Sequence, residues 1–408
     1  MIQEIMSLLR RLWSSVEFKL IVAWLLVVLA TMALDTSYAY WNNSADSAQL
    51  ILRRTVLLGF FAIGSAIIII SGGIDLSSGS VIAMSATVFG SLMIILDPVG
   101  FKAGHVSTTA VILSIGGTLL VGVMVGTLHA WLITSVGLPP FVATLSTLVG
   151  LRSFSRGLTS SINVGKSQID FPDTGLRDIL KNVNYISIVF VGFALLMWFL
   201  MSRTVTGRHL QAMGGNEQAA KLSGIRTDRL KWLAYVIGAV SASIVGIISF
   251  ADEGSAKPDI MARGYELNAI AASVIGGCSL QGGVGTIPGT ILGCLFLRTI
   301  IDAVQKIVGS GADVYEGMIV GIVVVVAVTF SQRGGGKLAG KKYFSNGIGW
   351  CVIPTLGLLA GLSFMLFFGD DDRKWYAPYQ AYMIGGIVVA ALAARAFLES
   401  NSKASGQS

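Results

Sequence analysis

Residues 55–96 read TVLLGFFAIGSAIIII, then SGGIDLSSGS, then VIAMSATVFGSLMIIL. Two largely apolar runs flank ten residues that hold three glycines, four serines and one acid, Asp75. Each run approaches the ~17 to 25 residues that a helix needs to cross the hydrocarbon core of a bilayer. Neither shows the period-two alternation of a barrel strand, and hydrocarbon penalises unpaired backbone groups, so both runs are predicted to be membrane helices. The glycine-rich segment between them has no room to be an ordinary solvated loop.

The same reading extends to the rest of the chain. Runs 18–34, 110–133 and 315–330 are of similar character. The 408 residues are 53% hydrophobic and 12% charged, too little polar surface to cover a soluble globule. Forty-nine glycines fit helices that approach closely in lipid. The expected fold class is all-α and polytopic, with spans near 18–34, 53–70, 79–96, 110–133, 139–157, 185–201, 232–250, 266–279, 288–305, 314–330, 348–368 and 378–398. That is about ten core helices with broken segments plus two more at the C-terminus. The first run, preceded by Arg10 and Arg11, is read as an uncleaved span, because no small-x-small cleavage site follows Leu34.

The net charge of +7 acquires meaning from its placement. With the N-terminus inside, the loop after the sixth span is also inside and carries Arg203, Arg208, Lys221, Arg226, Arg229 and Lys231 against Glu217 and Asp228. Arg333, Lys337, Lys341 and Lys342 fall inside as well, and the acids 370–372 fall outside, which returns the C-terminus to the cytoplasm. Arg152 and Arg156 run against the rule near the outer end of the fifth span. A span broken or shortened at Leu138-Pro139-Pro140-Phe141 would account for them. The basic balance thus describes topology and gives no indication of nucleic-acid binding.

Three segments stand out. The first is 71–80, where an acid at membrane depth is costly unless paired or solvated. Unwound segments of this kind expose backbone groups to polar pathways in transporters. Asp75 or Ser77 as a simple cap of the following helix is an equal alternative. The second, GGCSLQGGVG at 276–285, shares the pattern G-G-x-x-L-x-x-G with the first and hints at an internal repeat, although so loose a pattern also arises by chance. The third is the stretch 207–225, where Asn216 is placed to cap a short helix ending at Gly224. Ala219, Ala220 and Ser223 would let a partner approach its backbone, and an ordinary inter-span loop is the alternative reading.

Other chemistries find little support. Cys278, Cys294 and Cys351 are widely spaced, as are His105, His129 and His209, so neither a disulfide framework nor a metal site is suggested. No catalytic cluster and no cofactor motif is visible. Segment 335–342 resembles a phosphate loop, but Lys342 replaces the Ser/Thr that holds magnesium and no strand precedes it. The chain carries no evident energy source of its own.

Three motifs in fixed order resemble the permease subunits of bacterial ATP-binding-cassette importers for simple sugars, of the ribose, xylose and galactose type. Residues 72–80 resemble that family's G-G-I-D-L-S-x-G-S signature, 138–145 its L-P-P-F-I-A-T-L segment, and Gly214, Asn216, Ala219, Ala220, Ser223, Gly224 and Ile225 its coupling loop. The likeness runs from about residue 18 to 333 and is extended by Gly264-Tyr265-Glu266-Leu267. It implies a permease core at 1–333, with 334–408 a basic linker and two-helix extension. It implies a substrate pathway at Gly72, Gly73, Asp75, Ser77, Pro139, Pro140, Phe141, Gly276, Gly277 and Gln281. It implies coupling to a cytoplasmic ATPase through Gly207, Arg208, Gly214, Asn216, Ala219, Ala220, Ser223 and Gly224. The other implied partners are an extracytoplasmic sugar-binding protein and a second permease copy, all at the bacterial inner membrane. A permease for branched-chain amino acids or another small solute, or an ion-coupled secondary transporter, are the alternatives.

Overall fold

The computed structural model describes residues 15–35, 39–163, 166–172, 174–308, 316–334, 347–368 and 379–401. Arg10, Arg11, the linker 335–342 and the acids 370–372 lie outside them. The first helices are α1 (Val16–Leu34), α2 (Ala39–Asn42), α3 (Ser44–Ile70), α4 (Ser78–Leu96), α5 (Pro98–Ala103), α6 (Thr108–Thr134) and α7 (Pro140–Ile162). Next come α8 (Thr174–Lys181), α9 (Val183–Arg203), α10 (Val205–Gly215), α11 (Glu217–Leu222), α12 (Thr227–Glu253) and α13 (Tyr265–Ile275). The last are α14 (Ile287–Val308), α15 (Glu316–Gly334), α16 (Gly347–Phe368) and α17 (Tyr379–Asn401). Strands β1 (Ile169–Asp170) and β2 (Ser255–Ala256) pair antiparallel, Ile169 opposite Ala256. Among the described residues seven helices, α1, α3, α4, α6, α9, α12 and α14, are long and apolar enough to cross a membrane. The chain is an all-α, polytopic membrane protein.

The described residues fall in two compact units, one within Met1–Lys306 and Glu316–Ser331, the other within Ile307–Tyr315 and Gln332–Ser408. In the second, α16 and α17 pack on each other. In the first, α12 is the hub, packed along α6, α3 and α4. Of the most apolar 18 residues, 83% are buried in α3, 78% in α4 and 72% in α12, against 6% in α1. The first three are therefore interior, and α1 lies on the surface of the bundle.

Small residues explain the close approach. Ser85 Oγ donates to Ser243 Oγ at 2.9 Å, and Phe89 meets Phe250 edge to face at 6.2 Å. A Cβ on Gly246 would lie 2.6 Å from the Ile82 carbonyl and 2.7 Å from Ser85 Cβ, so only glycine lets α12 and α4 touch there. These pairings make α4 parallel to α12. With ~1.5 Å per residue, Ser78 lies about 14 Å along α12 from its first residue, so α4 starts inside the bundle and not at its end. The helix α13 is also incomplete. Its 11 residues span about 16 Å, roughly half a crossing, where a full span was expected. Gly264 at φ +81° starts it, and the turn at Gly276 and Gly277 stops it.

At the far end of α12 the two anomalous arginines find their reason. Arg152 Nη1 donates to the carbonyls of Pro258 at 2.7 Å and Met261 at 3.1 Å, and Arg156 pairs with Asp259 at 3.5 Å. Both tie α7 to the connection that leads into α13. The fifth span is not broken: Pro139 is its N-cap and Pro140 its first residue, the position where a missing N–H costs nothing. Asp97, half-buried, accepts from Ser107 N and Gly100 N, both at 2.8 Å. These two backbone donors hold its carboxyl below the usual carboxylate range.

Replacing Gly246 by valine is expected to overpack the α4–α12 contact at a cost of about 1 to 3 kcal/mol. Thermal unfolding of the detergent-solubilised protein should show a lowered midpoint, and an unchanged midpoint would contradict this packing.

Candidate functional site

The two glycine clusters end their helices in the same way. Gly72 stands at φ +87° and Gly277 at φ +94°. Gly72 N donates to Ile69 O and Gly73 N to Ile68 O, while Gly277 N donates to Val274 O and Cys278 N to Ser273 O, all at 2.9 Å. Each is a Schellman turn, in which a left-handed residue just past the helix satisfies its last carbonyls. The repeat hinted at by the sequence is thus a repeat of helix termination.

The first break and the end of the second cluster meet at a third segment. Gly283 N donates to Ile70 O at 2.9 Å. Gly214, near the end of α10, lies between them: a Cβ there would fall 1.8 Å from Ile70 O and 2.7 Å from Gly283 N. Helix α10 therefore touches both break segments backbone to backbone. From this point Asn216 caps α11, accepting from Ala219 N at 3.0 Å, and Ser223 and Gly224 (φ +81°) end it. Glu217 accepts from Lys231 Nζ at 2.7 Å and pairs with Lys221 at 3.0 Å, fastening α11 to the first turns of α12. Burial pushes the Glu217 carboxyl up, but the hydrogen bonds from Lys231 and Lys221 outweigh it and hold the group below its ordinary range.

A cavity of about 330 Å³ opens at this junction, lined by Gly72, Gly73, Gly214, Lys231, Tyr235 and Gln281 among others. Beyond Tyr235 lies a buried polar cluster. The Tyr235 hydroxyl donates to Ile74 O at 3.4 Å, and its ring stands 6.0 Å from that of His129. Asp75, 4% exposed, accepts from Ser77 N at 2.7 Å and Ser77 Oγ at 2.6 Å. His129 Nε2 is 3.5 Å from Ser77 Oγ and 2.7 Å from Thr147 Oγ1. Leu76 N donates to Thr144 Oγ1 at 3.1 Å. The extended segment from Ile74 to Ser77 thus has its polar groups held by α6 and α7 as it re-enters the bundle. The α4 N-cap is Ser77, whose side chain does not cap the first turn; Asp75 instead stabilises the backbone just before it.

Sequence-predicted residues divide accordingly. Gly72, Gly73, Pro140, Gln281, Gly214 and Asn216 line the cavity. Asp75 and Ser77 are buried beyond Tyr235. Pro139 and Phe141 are exposed outside it, and Gly276 and Gly277 pack against Gly289 and Val16. In the coupling stretch Gly207 is buried under the Met201 carbonyl, whereas Arg208, Ala219, Ser223 and Gly224 are exposed. Ala220 is only 5% exposed and faces its own chain, so it does not contribute to an accessible small face; Leu222, 91% exposed, does. His129, Thr147 and Tyr235 were missed, because singly they read as ordinary members of apolar runs. A histidine at membrane depth was the one available signal.

The family described as "Branched-chain amino acid transport system / permease component" matches residues 47–328. The chain is 31% identical over 322 residues to the ribose import permease protein of Escherichia coli, covering 78% of this chain and 94% of that one. It is 33% identical over 294 residues to the ribose import permease protein of Bacillus subtilis, covering 69% and 84%. It is 31% identical over 306 residues to the autoinducer 2 import system permease protein of Salmonella paratyphi B, covering 74% and 81%. No solved structure matches.

Gly214→Ala is expected to separate α10 from the two breaks and lower the unfolding midpoint, while Gly215→Ala, with open space around its Cβ, leaves it unchanged. Equal midpoints for the two variants would refute the contact. Because the folded carboxyl of Glu217 lies below its ordinary 4.5, its ion pairs stabilise above that value and are lost as pH falls through the lowered one. Hydrogen exchange of α11 should accelerate across that acidic window in the parent and show no such step in Glu217→Gln.

Proposed function

From the chain's membership of the branched-chain amino acid transport system permease family, we propose that it is the membrane-spanning subunit of an ATP-driven importer that moves a monosaccharide into the cytoplasm. ATP hydrolysis resides on a separate chain, an extracytoplasmic binding protein delivers the solute, and a second permease copy completes the passage. One observation carries this reading: Gly214 joins the surface helix α11, through α10, to both helix breaks by direct backbone contact. A partner that displaces α11 therefore displaces the walls of the cavity. Coupling requires that the partner bind the two arrangements with different affinity, and the backbone contact passes the resulting shift of α11 to the breaks.

The end carrying α11 is assigned to the cytoplasm. Arg203, Arg208, Lys221, Arg226, Arg229 and Lys231 cluster in the sequence there, as the positive-inside rule requires, and both termini follow to the same side. The ATPase is assigned to Ala219, Leu222 and Ser223, a small exposed face with one projecting apolar side chain. Residues 1–333 are assigned as the permease core and 334–408 as an extension.

A sugar is favoured over an amino acid on two grounds. The relatives named for their solute are ribose and autoinducer 2 permeases. The charged groups lining the cavity, Glu217 and Lys231, neutralise each other, so the lining offers a neutral solute mainly backbone and uncharged groups. A zwitterion would leave its own charges without partners.

The test is reconstitution of the complex purified from native membranes, with uptake of radiolabelled D-ribose, D-xylose and D-galactose measured with and without ATP. ATP-dependent uptake of at least one sugar is expected, and none by the permease alone. Ala219→Arg is expected to abolish co-purification of the ATPase while the variant remains folded in the membrane. Sugar accumulation driven by an ion gradient in the isolated chain would overturn the assignment.

A further inference from the structure

The helices α4 and α13 both begin inside the bundle, and they begin against each other. Gly79, the second residue of α4, lies so close to α13 that a Cβ on it would fall 2.3 Å from Glu266 Oε2 and 2.5 Å from the Ala262 carbonyl. Glu266 is the second residue of α13. Two positive helix ends thus meet within the membrane, on either side of one carboxylate. Ala262, at φ +51°, is held in the left-handed region just before α13 and presents its carbonyl to the same point.

Of the eleven buried side-chain atoms without a hydrogen-bond partner among the described residues, three belong to residues at or beside this meeting point: Ser78 Oγ, His129 Nδ1 and Glu266 Oε2. Ser78 is 4% exposed and His129 1%. Ser78 adjoins Gly79, which touches Glu266, and it follows Ser77, which faces His129. Each unsatisfied group in such surroundings costs about 1 to 3 kcal/mol.

We propose that Ser78, His129 and Glu266 form a membrane-embedded subsite that takes the hydroxyls of the sugar in transit. This rests on the reading of the chain as a sugar permease and adds residues to it. The atoms are chemically mixed: a hydroxyl that donates and accepts, an imidazole nitrogen whose role follows its tautomer, and a carboxylate oxygen that accepts. Vicinal hydroxyls of a neutral polyol match such a set, each giving and receiving a hydrogen bond. An anion is disfavoured by Glu266 and by Asp75 next to Ser77. The Arg152 guanidinium, the nearby cation, has one nitrogen committed to the carbonyls of Pro258 and Met261. The subsite lies beyond Tyr235 from the cavity at the α11 end, so Tyr235 and its bond to Ile74 stand between the two as a barrier to be opened.

The experiment uses the full transporter complex in proteoliposomes and measures radiolabelled D-ribose, D-xylose and D-galactose taken up per ATP hydrolysed. Ser78→Ala and Glu266→Ala are expected to lower that ratio about tenfold, the equivalent of one lost buried hydrogen bond, with assembly and stimulated ATP hydrolysis kept within about twofold. Glu266→Gln keeps an accepting oxygen and is expected to recover the ratio to within about threefold. A Gln variant as impaired as the Ala variant would reveal a need for charge, as in a cation site, and would overturn the proposal. Unchanged ratios, or losses that track assembly, would overturn it too. Failure of the parent complex to move any of the sugars defeats the transport reading itself, whereas a working parent with indifferent variants defeats only the subsite.

Discussion

The contact of Gly214 with the Ile70 carbonyl and the Gly283 amide is the constraint on which the rest of the molecule depends. It brings together three chain segments far apart in sequence, with no side chain between them. Backbone contact of this kind has little give, because it rests on peptide groups and not on rotamers. Movement of α10 must therefore be shared by the end of α3 and by the segment that leads into α14. A surface helix and the interior of a membrane bundle become parts of one lever.

The lever has something to act upon because two helices, α4 and α13, start inside the bundle and not at its end. A complete helix satisfies its own backbone and offers a passing solute nothing. An interrupted one exposes donors at its start, and the protein must hold the connecting segment by other means. Here Asp75, Thr144 and Tyr235 secure residues 74–77, and Arg152 secures the connection into α13. Polar residues that would be costly in lipid are used to stabilise irregular backbone inside protein, where it is tolerated. Three of the groups that remain unsatisfied belong to residues at or beside the place where the two helix starts meet.

The extension beyond the family match obeys simpler physics. Helices α16 and α17 pack on each other through a glycine contact, Gly357 with Gly385, as small residues allow in lipid. Nothing in that pair interrupts a helix, and Pro354 is accommodated within α16.

Much of this was legible from one-dimensional pattern. Hydrocarbon thickness and backbone desolvation dictate long apolar helices, so all-α architecture and the approximate place of the long helices followed from composition and run length, while the short α2, α5, α8 and α10 did not. The glycine pair 72–73 marked a helix end, because few other residues adopt the left-handed turn, and Asn216 announced the α11 cap, whereas the span expected at 266–279 was carried past the pair 276–277 that stops it. Tertiary structure alone decided the depth of the breaks, the inward turn of Ala220, and the company of His129, Tyr235 and Glu266. Those outcomes depend on which helix lies beside which, and in a bundle where lipid is as apolar as leucine, the partner of a face is chosen by close packing and not by hydropathy. The sequence records where the backbone must break; only the packed bundle determines what the break confronts.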